Sequence, residues 1–258
     1  MTFIELANIQ QWFQENGLIL NTSKTSYVLF RNRNKPDIDP TVTMGGEVLE
    51  RADSAMFLGI GVDEHLTWSS HVDRLCGKLS STIFLLRNMK SYCDVALLTS
   101  LYHSLFVSVA RYGVVNWGGG SAANMYRVLI LQKRALRVIF GLKRRDSCRE
   151  IFRANGLLTV PSMYILDAIT FVLKNKIGRT VHEVSERVTR QAHDFFIEPY
   201  RLSSSRCNVQ HAGLHLFNCL PDELKAKKET KSFYNDLKKY LVSGCFYSVA
   251  EFLGEPSS

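Results

Sequence analysis

The spacing of apolar residues changes near Leu66, and this change constrains the fold more than any other feature of the sequence. Beyond it, apolar side chains recur three or four residues apart, which is the period of an amphipathic helix. The first such series comprises Val72, Leu75, Cys76, Leu79, Ile83 and Leu86. The same period predicts helices over residues 94–112, 122–140, 164–174 and 233–242, whereas residues 178–231 are polar and weakly periodic.

Before Leu66 the pattern is mixed. Residues 3–15 have helical spacing and end at Asn16-Gly17, where glycine readily adopts the left-handed conformation that closes a helix. Short apolar runs then predict strands over residues 18–20 and 27–30, over residues 42–48 around a Gly45-Gly46 turn, and over residues 55–62. We therefore expect an α+β protein whose small β-containing part is followed by a mainly α-helical region. The predicted domains are residues 1–66, 67–175 and 176–258, the last being a C-terminal helical extension.

Charge is distributed unevenly along the chain. The 258 residues have a formal net charge of +8, yet residues 1–66 contain five Lys or Arg against nine Asp or Glu. Residues 127–153 contain nine cations against two acidic residues. The cations are Arg127, Lys133, Arg134, Arg137, Lys143, Arg144, Arg145, Arg149 and Arg153. Because clustered cations repel one another, contact with nucleic acid is favoured over the alternative of a solvated helix face.

Cysteine usage and hydropathy favour an intracellular protein, without distinguishing nucleus from cytoplasm. The six cysteines include no CxxC pair and several lie in apolar patterns, as expected for reduced, buried thiols. The first 20 residues lack the basic region and apolar core of a signal peptide. The most apolar window, residues 95–117, contains His103 and Arg111, so we expect a buried helical hairpin there and not a membrane span.

Seven stretches of the chain point to a family. They are "WFQENGLILNTSKTSYVLF", "FLGIGVDEHLTWSSHV", "LYHSLFVSVARYGVVNWG", "LQKRALRVIFGLKRRDSCREIF", "LLTVPSMYIL", "RLSSSRCNVQHAGLHLFNCLP" and "FYNDLKKYLVSGCFYSVAEFL". Together and in this order, from Trp12 to Leu253, they resemble the reverse transcriptases of non-LTR retrotransposons, of the jockey-like or CR1-like kind common in arthropods. The resemblance is to the C-terminal portion of such an enzyme, with the end of the palm, the thumb and a C-terminal extension.

The resemblance implies roles for residues of the first part of the chain. Lys24 matches the lysine of the palm motif that follows the catalytic strand, so it can approach the triphosphate of a nucleotide and act as a general acid toward pyrophosphate. The alternative is a surface lysine in a turn. Phe57, Leu58 and Gly59 match the hairpin that grips the primer terminus, where glycine allows close approach of a strand. The alternative for them is an ordinary core strand with a packing glycine.

The helices from Trp68 onward resemble the thumb, which in the family lies along the template–primer duplex of RNA and DNA. Such helices contact phosphates and sugars more than bases. The residues expected to do so are Arg87, Lys90, Lys133, Arg134, Arg137, Lys143, Arg144, Arg145 and Arg149. Neither a membrane nor a small-molecule substrate is an expected partner of this chain.

Polymerisation in the family uses two Mg²⁺ ions, which are held by palm aspartates that include a Tyr-Ala-Asp-Asp turn. This sequence contains no adjacent Asp-Asp pair, so we expect neither a cofactor in this chain nor polymerase activity from it alone. We therefore expect a truncated element copy or a partial gene model, or alternatively a basic RNA- or DNA-binding helical module without enzymatic activity. Cys207, His211, His215 and Cys219 follow one another at intervals of four, which matches no standard zinc pattern, so no metal site is expected.

Overall fold

The structure, a computed structural model, describes residues 3–32, 40–185, 194–198 and 208–255. The chain divides into two compact units, Met1–His71 and Val72–Ser258. The first unit combines a helix with short strands and the second is mainly helical, which confirms the α+β class expected from the sequence. The three-part division at residues 66 and 175 stays a prediction.

The described part of the first unit contains one α-helix, one 3-10 turn and six short strands. The helix α1 is Phe3–Glu15, and the 3-10 turn is Thr22–Lys24. The strands are β1 (Ser26–Tyr27), β2 (Thr43–Met44), β3 (Glu47–Val48), β4 (Glu50–Arg51), β5 (Ser54–Phe57) and β6 (Ile60–Asp63). β1 pairs with β4 in parallel, whereas β2 with β3 and β5 with β6 form antiparallel hairpins.

The end of α1 explains why one predicted strand is absent. Gly17 has a φ of 65°, and its amide donates to the carbonyl oxygen of Gln14 over 3.1 Å. The amide of Leu18 donates to the carbonyl oxygen of Phe13 over 2.9 Å. This hydrogen-bond pair closes a helix at a left-handed residue. Because Leu18 is bound into the helix end, the prediction of a strand over residues 18–20 is wrong.

Two further strand predictions are wrong in extent. The strand expected over residues 27–30 covers only Ser26–Tyr27, the two residues that pair with β4. The segment expected as a strand over residues 55–62 is a hairpin of β5 and β6, whose register places Phe57 opposite Ile60. The chain therefore reverses direction in the middle of this segment.

Asp63 organises the link between β6 and the long helix α2 (Ser69–Met89). Its carboxylate accepts hydrogen bonds from the amides of Thr67 (2.9 Å), Trp68 (2.8 Å) and His65 (3.2 Å). Partial burial acts to raise the pKa of Asp63, but these hydrogen bonds to its charged form outweigh burial and lower the pKa. The ionised carboxylate therefore accepts hydrogen bonds from three backbone amides just before the helix begins.

The second unit is built from helices. Those after α2 are α3 (Val95–Leu101), α4 (Ser108–Arg111), α5 (Val114–Trp117), α6 (Ala122–Phe140), α7 (Arg149–Ala154), α8 (Val160–Lys174), α9 (Val181–Ser185), α10 (Val209–Asn218), α11 (Asp222–Lys225), α12 (Phe233–Gly244) and α13 (Val249–Leu253). A π-helical segment, Tyr102–Val107, joins α3 to α4. Every helix expected from apolar periodicity is present. Among the described helices, none combines the length and the apolar character that crossing a membrane requires.

The helix α8 begins four residues earlier than the predicted start at residue 164. The hydroxyl oxygen of Thr159 accepts a hydrogen bond from the amide of Ser162 over 3.2 Å, which caps the helix. Pro161 lies in the first turn, where a missing amide proton costs nothing because that amide has no partner within the helix. Pro161 therefore belongs to the first turn of α8 and does not end a helix.

A buried glutamine connects α6, α8 and the π-helical segment. The side-chain nitrogen of Gln132 donates to the hydroxyl of Tyr102 (2.8 Å) and to the carbonyl oxygen of Leu158 (2.9 Å). Its side-chain oxygen accepts a hydrogen bond from the amide of Val160 over 2.9 Å. Because Gln132 is fully buried, these hydrogen bonds replace those that water would otherwise supply.

The helix α10 packs closely on α8 through a glycine. Gly213 is buried inside α10, and a Cβ at this position would lie 2.6 Å from the carbonyl oxygen of Ala168 and 2.6 Å from a methyl carbon of Val172. Glycine is therefore required at this crossing because it alone leaves room for the backbone of the facing helix.

Candidate nucleic-acid interface

The C-terminal end of α6 is followed by a loop that exposes three consecutive cations. Gly141 ends the helix in the left-handed conformation, with a φ of 70°. The carboxylate of Asp146 accepts a hydrogen bond from the amide of Lys143 over 2.8 Å. The carbonyl oxygen of Asp146 accepts one from Nη2 of Arg137 over 3.0 Å. Asp146 therefore holds the loop as a compact turn against the helix end, with the side chains of residues 143–145 exposed.

A second helix end lies beside the first. The exposed side chain of Lys90, the residue after α2, extends to the end of α6, where its Nζ lies 3.4 Å from the position that a Cβ would take on Gly141. Arg87, one helical turn before Lys90, is also exposed. The C-terminal end of a helix carries a partial negative charge, so it suits cations. The structure thus brings together cations that the sequence places about 50 residues apart.

We use the name cationic corner for the exposed cations in the last two turns of α2 and α6 and in the residues that follow each helix, which are Arg87, Lys90, Arg134, Lys143, Arg144 and Arg145. All six side chains are exposed. None of them forms an ion pair with any residue that the structure describes. Their charges are therefore not neutralised locally, and an anionic ligand would be attracted to them.

Three other arginines of residues 127–153 are held by the protein itself. The ion pairs are Arg127 with Asp73 (2.5 Å), Arg149 with Glu251 (2.7 Å) and Arg153 with Glu150 (3.2 Å). The hydrogen bond to Asp73 raises the pKa of Arg127. Two of the three acidic partners lie outside residues 127–153, so the positive excess counted along the sequence overstates the charge that remains on the surface.

Lys133 is half-buried and does not belong to the cationic corner. Its Nζ lies 4.1 Å from the centre of the Tyr247 ring and 5.9 Å from that of the Tyr126 ring. Burial lowers the pKa of Lys133, and the nearby guanidinium groups of Arg137 and Arg149 act in the same direction. The ammonium group is thus directed toward aromatic rings, where cation–π attraction stabilises it.

Lys24 lies in the first unit, at the end of the 3-10 turn. The amides of Lys24 and Thr25 donate to the carbonyl oxygens of Asn21 and Thr22, which closes the turn. The side chain of Lys24 is exposed. The backbone therefore fixes the position from which the lysine projects, while its ammonium group is accessible to a ligand.

The tip of the β5–β6 hairpin consists of Leu58 and Gly59, which have φ values of 47° and 79°. Positive φ at both central residues defines the turn whose twist suits a two-residue hairpin loop. The side chains of Phe57 and Leu58 are 67% and 74% exposed. β5 is thus not a buried core strand within the described residues, and its tip presents apolar groups to solvent.

The described residues include no group of three or more His, Cys, Asp or Glu side chains that could hold a metal ion. His211 and His215 lie on α10 and Cys219 follows it, whereas Cys207 lies outside the described residues. The described residues therefore include no ligand set for a zinc ion or for the Mg²⁺ ions that the family resemblance implies.

The sequence predicts the cations of the corner but not the aromatic side chains beside them. Phe84 is 62% exposed and lies one turn before Arg87 on α2. Tyr92 is 86% exposed, and its amide donates to the carbonyl oxygen of Met89 over 2.9 Å. The signal in the sequence is the presence of two aromatic and two cationic residues between positions 84 and 92, which apolar periodicity alone does not distinguish from the core-facing residues of a helix.

Three proteins of Drosophila melanogaster are similar to this chain. They are the probable RNA-directed DNA polymerase from transposon BS (26% identity over 137 residues), the RNA-directed DNA polymerase from mobile element jockey (26% over 153 residues) and the probable RNA-directed DNA polymerase from transposon X-element (24% over 135 residues). The matches cover 52%, 55% and 51% of this chain. They cover only 15%, 16% and 14% of the relatives' own lengths.

These relatives confirm the resemblance to reverse transcriptases of non-LTR retrotransposons over about half of the chain. No family model matches the chain, and no solved structure matches it. The chain is thus similar to a part of a much longer polymerase.

Proposed function

We propose that this chain is part of a non-LTR retrotransposon reverse transcriptase and that it binds the template–primer duplex of RNA and DNA. The observation that carries the proposal is the cationic corner, in which Nζ of Lys90 lies beside Gly141, at the start of the loop that exposes Lys143, Arg144 and Arg145. Exposed Lys and Arg side chains bind the phosphate backbone through charge, and such contacts position a protein without reading bases. The expected ligand is therefore a duplex of any sequence.

In the complete enzyme, the first unit would act close to the reaction. Lys24 would approach the triphosphate of the incoming nucleotide and donate a proton to the leaving pyrophosphate. The hairpin tip formed by Phe57, Leu58 and Gly59 would contact the primer terminus. Exposure of the Lys24 ammonium group and of the hairpin tip supports both roles, because a ligand can reach both groups.

On its own, this chain should not extend a primer. Its sequence contains no adjacent Asp-Asp pair, and its described residues contain no cluster of carboxylates that fits Mg²⁺. The purified chain, supplied with Mg²⁺, deoxynucleotides and a primed RNA template, should therefore give no template-dependent incorporation. Incorporation above the background without protein would contradict this part of the proposal.

Duplex binding is tested by fluorescence anisotropy of a labelled RNA–DNA hybrid across a salt series. If roughly four to six phosphates are neutralised, the slope of log K against log salt should be about −3 to −5. Replacing Lys143, Arg144 and Arg145 by Ala should make this slope shallower by about two to three units. The loss should be nearly equal for unrelated sequences, and helical content should not change because these side chains are exposed.

A charge-matched control replaces Lys174, Lys176 and Arg179, which are exposed at and beyond the C-terminal end of α8. Tyr164, in the first half of α8, lies against Gly118, which precedes the start of α6. The rest of α8 therefore continues away from the C-terminal end of α6. The three control cations, at and beyond the last residue of α8, are thus far from the end of α6. The control variant should keep the wild-type slope. Equal losses from both triple variants would show diffuse attraction, and absence of binding at low salt would contradict the proposal.

A further inference from the structure

We infer that the cationic corner continues into a site for unpaired nucleotides, where bases stack on Tyr92 and Phe84 while phosphates contact Arg87 and Lys90. The inference rests on the proposed nucleic-acid binding. It adds a second ligand to the duplex, namely a single strand of RNA or DNA.

The aromatic rings of this site are exposed to solvent. Tyr92 is 86% exposed and Phe84 is 62% exposed, so most of the surface of each residue lies outside the core. Single exposed apolar residues are ordinary, but these two lie on either side of Arg87 and Lys90 in the sequence, and each ring is a platform on which a base can stack. Such platforms bind unpaired bases in many sequences, because every base has a flat face that can stack.

The backbone fixes the position of the platform. Phe84 and Arg87 are three residues apart on α2, so they lie on one face of the helix. The amides of Tyr92 and Cys93 both donate to the carbonyl oxygen of Met89 over 2.9 Å, which holds the turn after α2. The rings and the cations are therefore presented by a helix and a hydrogen-bonded turn, and little ordering is needed when a ligand binds.

The charge around the rings favours nucleic acid over a protein partner. Residues 84–93 contain Arg87 and Lys90 but no acidic residue. The next carboxylate, that of Asp94, accepts a hydrogen bond from the amide of Leu97 over 2.8 Å and so caps α3. Aromatic residues interleaved with cations, without acidic residues, match the requirements of a single strand, whose bases stack while its phosphates bind cations.

Lys90 connects this platform to the rest of the cationic corner. Its Nζ lies beside Gly141, at the start of the loop that carries residues 143–145. A strand that leaves a duplex held at the loop would therefore pass Lys90 and reach Tyr92. In a blunt duplex the bases are already stacked on one another, so the rings should add little to its binding.

The test compares a blunt RNA–DNA hybrid with the same hybrid carrying a short single-stranded extension, and with a third whose extension is abasic. The full chain should bind the extended hybrid more tightly than the blunt one, and the abasic extension should lose most of this gain. Tyr92→Ala should weaken binding of the extended hybrid roughly fivefold or more and leave the blunt hybrid unchanged. Tyr92→Phe should retain the gain, because it keeps the ring.

Leu85→Ala is the control, because Leu85 is an exposed aliphatic residue of α2, next to Phe84, and cannot stack on a base. This substitution should not change the gain in affinity that the single-stranded extension gives. An equal loss in Leu85→Ala and Tyr92→Ala, or a gain that persists with the abasic extension, would overturn the stacking site. Salt-dependent binding of the blunt hybrid without any gain from the extension would overturn it too, while the proposed function would stand. If neither hybrid binds, the proposed function fails as well.

Discussion

Arg149 and Cys245 are joined by a hydrogen bond in which Nη1 of the arginine donates to the carbonyl oxygen of the cysteine over 2.9 Å. Cys245 follows α12 with a φ of 51°, a left-handed conformation that costs free energy in a residue with a side chain. Arg149 also pairs with Glu251 of α13, and its guanidinium lies 4.2 Å from the centre of the Tyr247 ring. A residue expected from the sequence to contact nucleic acid therefore fastens the turn between α12 and α13.

Replacing Arg149 by Ala should consequently lower stability more than it lowers duplex affinity. The substitution removes charged hydrogen bonds to Cys245 and Glu251, so we expect a loss of about 1–3 kcal/mol in the free energy of unfolding, measured with urea. Arg145→Ala removes an exposed cation, and its free energy of unfolding should stay within about 0.5 kcal/mol of the wild-type value. A variant at Arg149 with unchanged unfolding and reduced duplex binding would show that the residue belongs to the interface.

The buried glutamine gives a second prediction about stability. Gln132→Met keeps a similar volume but leaves the hydroxyl of Tyr102, the carbonyl oxygen of Leu158 and the amide of Val160 without this partner in the core. We expect the free energy of unfolding to fall by about 3 kcal/mol or more, because each such group carries a desolvation cost. The same substitution at exposed Arg134, two residues further along α6, should have little effect. If Gln132→Met and Arg134→Met unfolded at the same urea concentration, the hydrogen bonds of Gln132 would not stabilise the core as described.

The long helices could be predicted from the sequence because each is specified by its own apolar spacing. Gln132 could not, since the residues that satisfy it lie 26 to 30 positions away and no local pattern refers to them. The same limit applies to the short strands. Residues 18–20 have the composition of a strand, yet the amide of Leu18 is taken by the end of α1.

The candidate interface was predictable in composition but not in arrangement. Clustering along the chain indicated cations between residues 127 and 153, and the loop of residues 143–145 is exposed as expected. Which cations pair with carboxylates depends on contacts across long separations, such as the 102 residues between Arg149 and Glu251. The basic group could therefore be predicted from the sequence, whereas the division into exposed and ion-paired arginines required the fold, and the binding of nucleic acid to this group stays a prediction.

The first unit should lose stability in acid. The hydrogen bond and charge of Arg31, at 2.9 Å, hold the pKa of Glu64 below its ordinary value, and Arg51 also donates to this carboxylate. A carboxyl group whose pKa is lowered by folding stabilises the protein above its unfolded pKa, and this contribution is lost as pH falls through the folded value. Asp63 acts in the same direction. Stability should therefore decrease from about pH 5 downward.

Glu64→Gln tests this explanation, because it removes the titrating group and keeps an oxygen that can accept hydrogen bonds. Urea denaturation of the wild type and the variant is compared from about pH 7 to about pH 3. The variant should be less stable than the wild type at neutral pH, and the difference between them should shrink in acid. Parallel pH profiles would show that Glu64 does not contribute to the acid sensitivity.

Two glycines inside helices should respond to Ala in opposite directions. Ala is favoured over Gly in a helix by about 1 kcal/mol, so this intrinsic preference alone would stabilise both variants. At Gly77 of α2, none of the described atoms lies within 4 Å of an added Cβ, and Gly77→Ala should stabilise the protein by up to about 1 kcal/mol. At Gly213 the Cβ would lie 2.6 Å from the carbonyl oxygen of Ala168, which cannot move without shifting α8. Gly213→Ala should therefore destabilise by about 1–3 kcal/mol in urea denaturation, and stabilisation by this variant would show that α10 and α8 are not in the close contact described.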